Sequence, residues 1–95
     1  MRNNFEYGEK NIKAKNPQLE EPFTDLFIDT HHALVVLEIP GITELNILYG
    51  DRIALIQGVN EFHFFEKKVE VPFNIDKNKT QIQINHGIAE IHFFE

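Results

Sequence analysis

The segment that most constrains the fold is residues 80–94, which read TQIQINHGIAEIHFF. Two short runs in it carry apolar residues at alternate positions, Ile82 and Ile84 in the first and Ala89, Ile91 and Phe93 in the second. Because successive side chains of a strand point to opposite faces, this pattern predicts two strands whose apolar side chains are buried. Asn85, His86 and Gly87 favour a reversal between the runs, so the sequence predicts a hairpin.

A single hairpin is marginally stable in water and needs a second apolar layer. The rest of the chain offers one, because short apolar runs and turn signals alternate about every ten residues, which is typical of an all-β sandwich or barrel. We expect an all-β domain of about seven strands. Besides the hairpin, the predicted strands are residues 25–30, 33–39, 45–49, 52–57 and 61–71. Residues 33–39, ALVVLEI, are almost continuously apolar, which predicts a strand that is covered on both sides.

The chain has 95 residues, which is the size of one small domain. Residues 1–21 are rich in Asn, Lys and Glu, and their apolar residues are too irregularly spaced to form one face. We therefore predict a flexible N-terminal arm over 1–21 and one domain over 22–95. Two roles for the arm stay open: a leader without function, or a segment whose Phe5 and Tyr7 dock on the domain or on a partner.

Composition excludes several classes of protein. There is no cysteine, so disulfides, thiolate metal sites and cysteine nucleophiles are absent, and an intracellular, cytoplasmic location is the simpler expectation. No apolar run is long enough to span a bilayer, and the N-terminus lacks the apolar core of a secretion signal. The net charge of -6 opposes nonspecific binding to nucleic acid or to anionic membranes.

Catalytic and metal sites are not indicated either. The five histidines lack the spacing of a closed zinc site, and we expect them to be structural or solvated. No phosphate-binding loop, nucleophile elbow or HExxH motif is present, and the carboxylates are scattered. We therefore expect a protein that is not an enzyme and that uses neither cofactor nor metal.

Four short segments occur in an informative order: EIPG at 38–41, IALIQG at 53–58, VEVPFNID at 69–76 and HGIAEI at 86–91. Together they resemble the boxes of the small heat-shock protein (Hsp20, alpha-crystallin) family, over residues 22–94. The residues that match the family's boxes are Pro40, Gly41, Gly58, Val71, Pro72, Gly87 and Ile88. The resemblance implies an immunoglobulin-like β-sandwich of about seven antiparallel strands, the alpha-crystallin domain. It also implies a protein that forms dimers and acts, without ATP, as a holdase for partly unfolded proteins in the stress response.

The departures from the family pattern indicate a reduced member. The family's last asparagine and leucine are His86 and Ala89 here, and its prominent arginine is Lys67, which lacks the planar bidentate fork of arginine. Only two residues separate Gly58 from Glu61, so the long loop that bacterial and plant members exchange between subunits is not expected. Nothing follows Glu95, so we expect no C-terminal Ile-x-Ile tail and no large shell built by it.

Holding an unfolded protein requires accessible apolar surface. The resemblance implies a groove between two strand edges, which Ile47, Ile82 and Ile84 would line, although these are equally compatible with ordinary core positions. Alternation in 61–71 predicts that Phe62 and Phe64 lie on an outer face, where they contact clients or pack under the arm or against a dimer mate. The same strand is the predicted edge of a twofold dimer, with Phe62, Phe64, Phe65, Lys67 and Val69 as its residues.

A second function stays open at this point. The same sandwich serves in structural and adaptor proteins that bind one dedicated partner, such as co-chaperones and assembly proteins of spore coats or gas vesicles. The short arm, the trimmed loop and the missing tail favour such a module. Binding to many unrelated unfolded proteins or to one partner distinguishes the two functions.

Overall fold

Two four-stranded sheets make up the fold in a computed structural model, which describes residues 19–20 and 22–95. Sheet A has the strand order β1-β6-β5-β4, and sheet B has the order β2-β3-β8-β7. The strands are β1 (Leu19–Glu20), β2 (Phe23–Ile28), β3 (His32–Glu38), β4 (Glu44–Tyr49), β5 (Ile53–Val59), β6 (Phe64–Glu70), β7 (Gln81–Asn85) and β8 (Ile88–Phe94). A single 3-10 turn, Lys77–Lys79, precedes β7.

The predicted all-β sandwich is confirmed. Strands β2 to β8 pair antiparallel with their neighbours, and β1 alone pairs in parallel, with Phe64 and Phe65 of β6. The two-residue strand β1 lies within the segment predicted as an arm, and residues 1–18 lie outside the described residues.

The core lies between the inner faces of the two sheets. Alternation explains it, because β3, β5 and β8 bury every second side chain. The buried apolar residues are Ala33, Val35, Leu37, Ile39, Ala54, Ile56, Phe65, Val69, Val71, Phe73, Ala89, Ile91 and Phe93. Residues 19–20 and 22–95 cover β3 on its inner side only. Its outward residues Leu34 and Val36 are half-buried, and no third layer in this part of the chain covers the outer face of sheet B.

The hairpin turn has the predicted position. Asn85 pairs with Ile88, so His86 and Gly87 are the two turn residues, and both have positive φ, 52° and 78°. A two-residue turn with that backbone matches the twist of the flanking strands. The Gly87 carbonyl accepts a hydrogen bond from the Ile39 backbone N–H at 2.8 Å, which fixes the turn to the end of β3.

Predicted strand ends shift by a few residues where side chains compete for backbone groups. The strand expected over 61–71 is shorter, because the Asn60 side-chain oxygen accepts hydrogen bonds from the backbone N–H groups of Phe62 and His63. This turn delays the start of β6 to Phe64, so Phe62 belongs to the bend before the strand. The first strand, expected over 25–30, instead begins at Phe23 and ends at Ile28.

Candidate functional site

Sheet A ends at β4 and sheet B ends at β7, and these two edge strands meet at one end through their side chains. The Tyr49 hydroxyl donates a hydrogen bond to the Thr80 Oγ1 at 2.9 Å, and the Tyr49 ring lies edge-on to the buried Phe93, with 6.3 Å between ring centroids. From this contact the two strands run toward the other end of the sandwich. We call the strip between them, formed by β4 and β7, the β4/β7 border.

The inner side chains of the border are those that the sequence singled out. Ile47 faces inward, pairs with the buried Ile56 and is packed against the core while staying half-buried. Ile82 pairs with Ile91 and Ile84 pairs with Ala89, so both point to the inner side of sheet B. Ile47, Ile82 and Ile84 therefore all belong to the inner faces of the two edge strands.

The prediction that Ile82 and Ile84 are buried was wrong. Their exposed fractions are 48% and 46%, and every residue of β7 is exposed. The alternating pattern gives the correct face, but β7 has a neighbour on one side only. The outermost strand of sheet B therefore presents its apolar residues at an open margin, where the core does not extend to cover them.

The border carries almost no charge. Strand β7 reads QIQIN, and the only charged residue of β4, which reads ELNILY, is Glu44 at its first position. Natural edge strands are usually protected against pairing with other chains by charged residues, particularly Lys, or by Pro. Both edges lack this protection. The border therefore combines unpaired strand edges with accessible isoleucines.

Phe62 and Phe64 are exposed, with fractions of 70% and 48%. The predicted outer position is therefore correct for Phe64, and Phe62 reaches solvent from the bend before β6. Phe64 also lines a surface depression of about 370 Å³ on the outer side of sheet A, together with Val59 and Glu44. These two aromatics lie away from the border, because β6 and β4 flank β5 on opposite sides.

The residues predicted to form a dimer edge divide between the two faces of β6. Phe65 and Val69 point into the core, with exposed fractions of 7% and 1%, and Lys67 is half-buried. Only the backbone edge of β6 and the outward side chains can meet another protein. Strand β1 lies alongside that edge at Phe64 and Phe65.

Two histidines form a pair outside the border. The His32 Nε2 and His92 Nδ1 atoms are 2.9 Å apart, within hydrogen-bond distance, and their rings are stacked beside Phe94. His31 contacts the Glu95 carboxylate. Among the described residues, no group of three or more His, Cys, Asp or Glu side chains is placed to hold a metal ion. No helix in the same part of the chain is long and apolar enough to cross a membrane.

Sequence reasoning missed the exposed apolar residues of β2. Phe23 and Phe27 are 70% and 59% exposed, and Leu26 and Ile28 are also exposed. Their run, FTDLFI, is apolar enough to draw attention, but a buried strand has the same composition. Only the topology shows that β2 is the outer strand of sheet B.

Comparison with known proteins gives structural neighbours without close sequence relatives. No protein-family model matches the chain, and no curated protein matches it significantly. Heat shock protein 16.0 from Schizosaccharomyces pombe is a structural neighbour with a TM-score of 0.67 and 19% identity, covering 79% of this chain and 86% of the other. The chain has the small heat-shock protein fold.

Two further small heat-shock proteins have structures similar to this chain. HSP18.5 from E. histolytica has a TM-score of 0.61 and 21% identity, covering 79% of this chain and 88% of its own length. The hspA of Xanthomonas axonopodis has a TM-score of 0.66 and 15% identity, covering 84% of this chain and 96% of its own. The fold that the sequence resemblance implied is therefore confirmed by structures of low sequence identity.

The motif residues of the small heat-shock protein pattern lie mostly at one end of this fold. A Cβ atom on Gly87 would lie 3.2 Å from the Pro40 Cα, and one on Gly58 would lie 2.9 Å from the Ile39 Cδ1, so two of the glycines allow close packing. Gly41, with φ of 69°, turns the chain from sheet B toward sheet A, and Ile88 begins β8. Val71 and Pro72 lie elsewhere, where the Val71 N–H donates to the Arg52 carbonyl at 3.0 Å.

Proposed function

We propose that this chain is a reduced member of the small heat-shock protein family and acts as an ATP-independent chaperone that holds partly unfolded proteins. The observation that carries the proposal is the β4/β7 border, where two unprotected strand edges start from the Tyr49–Thr80 contact and β7 presents half-exposed isoleucines. The neighbours with this fold are small heat-shock proteins, which supports the chaperone role.

The proposed mechanism is adhesion by strand addition. An unfolded segment exposes backbone N–H and C=O groups and apolar side chains, and the border offers both kinds of partner. The backbone groups of the segment pair with the free edge of β7 or β4, while its alternate apolar side chains contact Ile47, Ile82 and Ile84. Backbone pairing is independent of sequence, so such a site accepts many clients. No covalent step is involved.

An aggregation assay tests the proposal. The variant Ile82→Ser with Ile84→Ser removes the apolar side chains of β7 and is expected to lower the suppression of aggregation for several unrelated heated proteins. A matched control, Gln81→Ser with Gln83→Ser, changes the opposite face of the same strand and is expected to keep full suppression. Circular dichroism checks that both variants are folded. If both then suppress aggregation equally, the β4/β7 border is not the client-binding site.

Phe62 and Phe64 are a second proposed contact for clients, because both are exposed and aromatic. Phe64 is also the strand partner of Leu19 in β1. This position supports the alternative role, in which Phe62 and Phe64 pack against the N-terminal segment or a dimer mate. The variant Phe62→Ser with Phe64→Ser separates these roles. Reduced client protection at unchanged mass supports client contact, whereas a change in mass supports the assembly role.

A homodimer through β6 is the proposed assembly. Because β1 lies beside Phe64 and Phe65, a second copy of β6 would meet only the later residues of the strand unless β1 moves away. Sedimentation over a wide range of concentration measures this directly. A monomer at every concentration would exclude the dimer.

An adaptor for one partner is the second candidate function. It is favoured by the contact between Tyr49 and Thr80, which closes one end of the border and limits the length of segment that fits. A pull-down that recovers one protein, combined with weak protection of unrelated heated proteins, would favour the adaptor over the general holdase.

A further inference from the structure

The outer face of sheet B is a large apolar surface that the β4/β7 border does not include. The register places its outward residues in rows across the sheet: Phe23, Glu38 and Ile88 in one, Asp25, Val36 and Glu90 in the next, and Phe27, Leu34 and His92 in the third. Phe23 and Phe27 are its most exposed apolar residues, and Leu34 and Val36 are half-buried beside them. Exposed apolar patches of this kind usually mark a contact surface.

The charge on this face has one sign. Its carboxylates are Asp25, Glu38 and Glu90, and none of the four strands of sheet B contains Lys or Arg. The outer face of sheet A differs, because Lys68 lies there beside Glu70, with 4.0 Å between Nζ and Oε2. The occupant that fits the outer face of sheet B is therefore both apolar and basic.

The first 18 residues of the same chain have this composition. They contain four basic residues, Arg2, Lys10, Lys13 and Lys15, and two acidic ones, which gives a net charge of +2. The other 77 residues contain five basic and thirteen acidic residues, a net charge of -8. Phe5, Tyr7 and Ile12 lie among the basic residues and supply the apolar side chains.

The topology brings residues 1–18 close to the outer face of sheet B. The N-terminal segment joins the fold at β1, the outer strand of sheet A, and the chain then passes from Glu20 to Phe23 in β2 within three residues. The segment therefore starts at the margin between the two sheets, near the first row of the outer face of sheet B. Eighteen extended residues reach about 60 Å at roughly 3.3 Å per residue, whereas the six residues of β2 span about 20 Å. The segment can therefore cross the whole face.

We propose that residues 1–18 dock on the outer face of sheet B of their own chain, with the lysines beside Asp25, Glu38 and Glu90 and the aromatic residues against Phe23 and Phe27. A second copy packed face to face is a poorer occupant, because it would bring six carboxylates together with no cation between them. This docking does not depend on the proposed chaperone function. In this arrangement the N-terminal segment covers the apolar outer surface of sheet B, so that clients do not bind there.

Zero-length carbodiimide coupling of the full chain tests the docking, because it joins a lysine amine to a carboxylate only where the two are in contact. An equal mixture of 14N and 15N chains is coupled, digested and analysed by mass spectrometry. We expect Lys10, Lys13 and Lys15 to couple to Asp25, Glu38 and Glu90, within chains of one isotope, and to couple less as salt is raised. Glu44 and Glu70, on the outer side of sheet A and away from β1, serve as internal controls.

Three results would overturn the docking: coupling spread evenly over all carboxylates, coupling concentrated on Glu44 and Glu70, or isotopically mixed products. The apolar part is tested by Phe23→Ser with Phe27→Ser, which leaves every charge in place. Both side chains are largely exposed, so the sandwich should remain folded. We expect the Phe23→Ser with Phe27→Ser variant to lose the coupling to sheet B. The control variant Leu48→Ser, on the outer side of sheet A, should keep that coupling. Equal coupling in the two variants would contradict the docking.

Discussion

Strands β7 and β8 belong to one hairpin and carry the same alternating apolar pattern, yet they have opposite environments. In β8, Ala89, Ile91 and Phe93 are fully buried, whereas Ile82 and Ile84 of β7 are nearly half exposed. Ile82 and Ile91 are direct cross-strand partners, so identical side chains lie next to each other in the two environments. Strand β8 has neighbours on both sides and β7 on one. The position in the sheet therefore decides which strand stabilises the fold and which is available for binding.

The largest expected effect comes from truncating this pair one residue at a time. Ile91→Ala removes fully buried methyl groups between the sheets and should lower the free energy of unfolding by about 2–5 kcal/mol. Ile82→Ala, its matched control, should cost about 1 kcal/mol or less, because its side chain is already half in water. Denaturant unfolding of both variants measures the difference. Equal losses of unfolding free energy in the two variants would mean that β7 and β8 do not differ in burial.

A smaller effect is expected at the turn that holds the two strands together. Gly87→Ala places a Cβ on a residue with φ of 78° and 3.2 Å from the Pro40 Cα. The left-handed backbone alone should cost about 1–2 kcal/mol. Thermal unfolding measures the loss. Gly50→Ala is not a suitable control, because a Cβ there would clash with the Ile53 side chain. Gly41→Ala is suitable, since its φ is also positive and its surroundings are open; a larger loss at Gly87 would isolate the contact with Pro40.

The neighbouring turn residue should give a gain. His86 has φ of 52° and precedes Gly87 in a two-residue hairpin turn, a position at which Asn is strongly preferred. His86→Asn should therefore raise the free energy of unfolding by about 0.5–1 kcal/mol, part of the cost of a left-handed residue. The melting temperature measures it. A decrease would show that the His86 side chain stabilises the hairpin in a way that its exposure does not suggest.

The smallest expected effect concerns the end of the β4/β7 border. Tyr49→Phe removes the hydroxyl that donates to Thr80 and keeps the ring against Phe93. Because the hydrogen bond is exposed, the loss of stability should be about 0.5 kcal/mol. Amide hydrogen exchange should show faster exchange at the start of β7 and no change in β8. Faster exchange in β8 as well would show that the border and the core open together.

The faces of the strands could be predicted from the sequence, but their neighbours could not. Alternation correctly assigned the inward residues of β8 and the outward position of Phe64, because the direction of a side chain depends only on its place along its own strand. The exposure of Ile82, and that of Phe23 and Phe27 in β2, depends on which strands end the sheets, and this results from the pairing of distant segments. The shortened start of β6 depends on the Asn60 side chain, whose two hydrogen bonds to the backbone compete with the strand pattern.

The central claim is that unfolded proteins bind at the open β4/β7 border and not at the buried strands. Amide hydrogen exchange, read by mass spectrometry with and without a heated client, tests it most directly. We predict slower exchange in β4 and β7 when the client is bound, with β8 unchanged because it is already protected in the core. Slowing confined to other segments, or full suppression of aggregation with no slowing in β4 and β7, would contradict the claim.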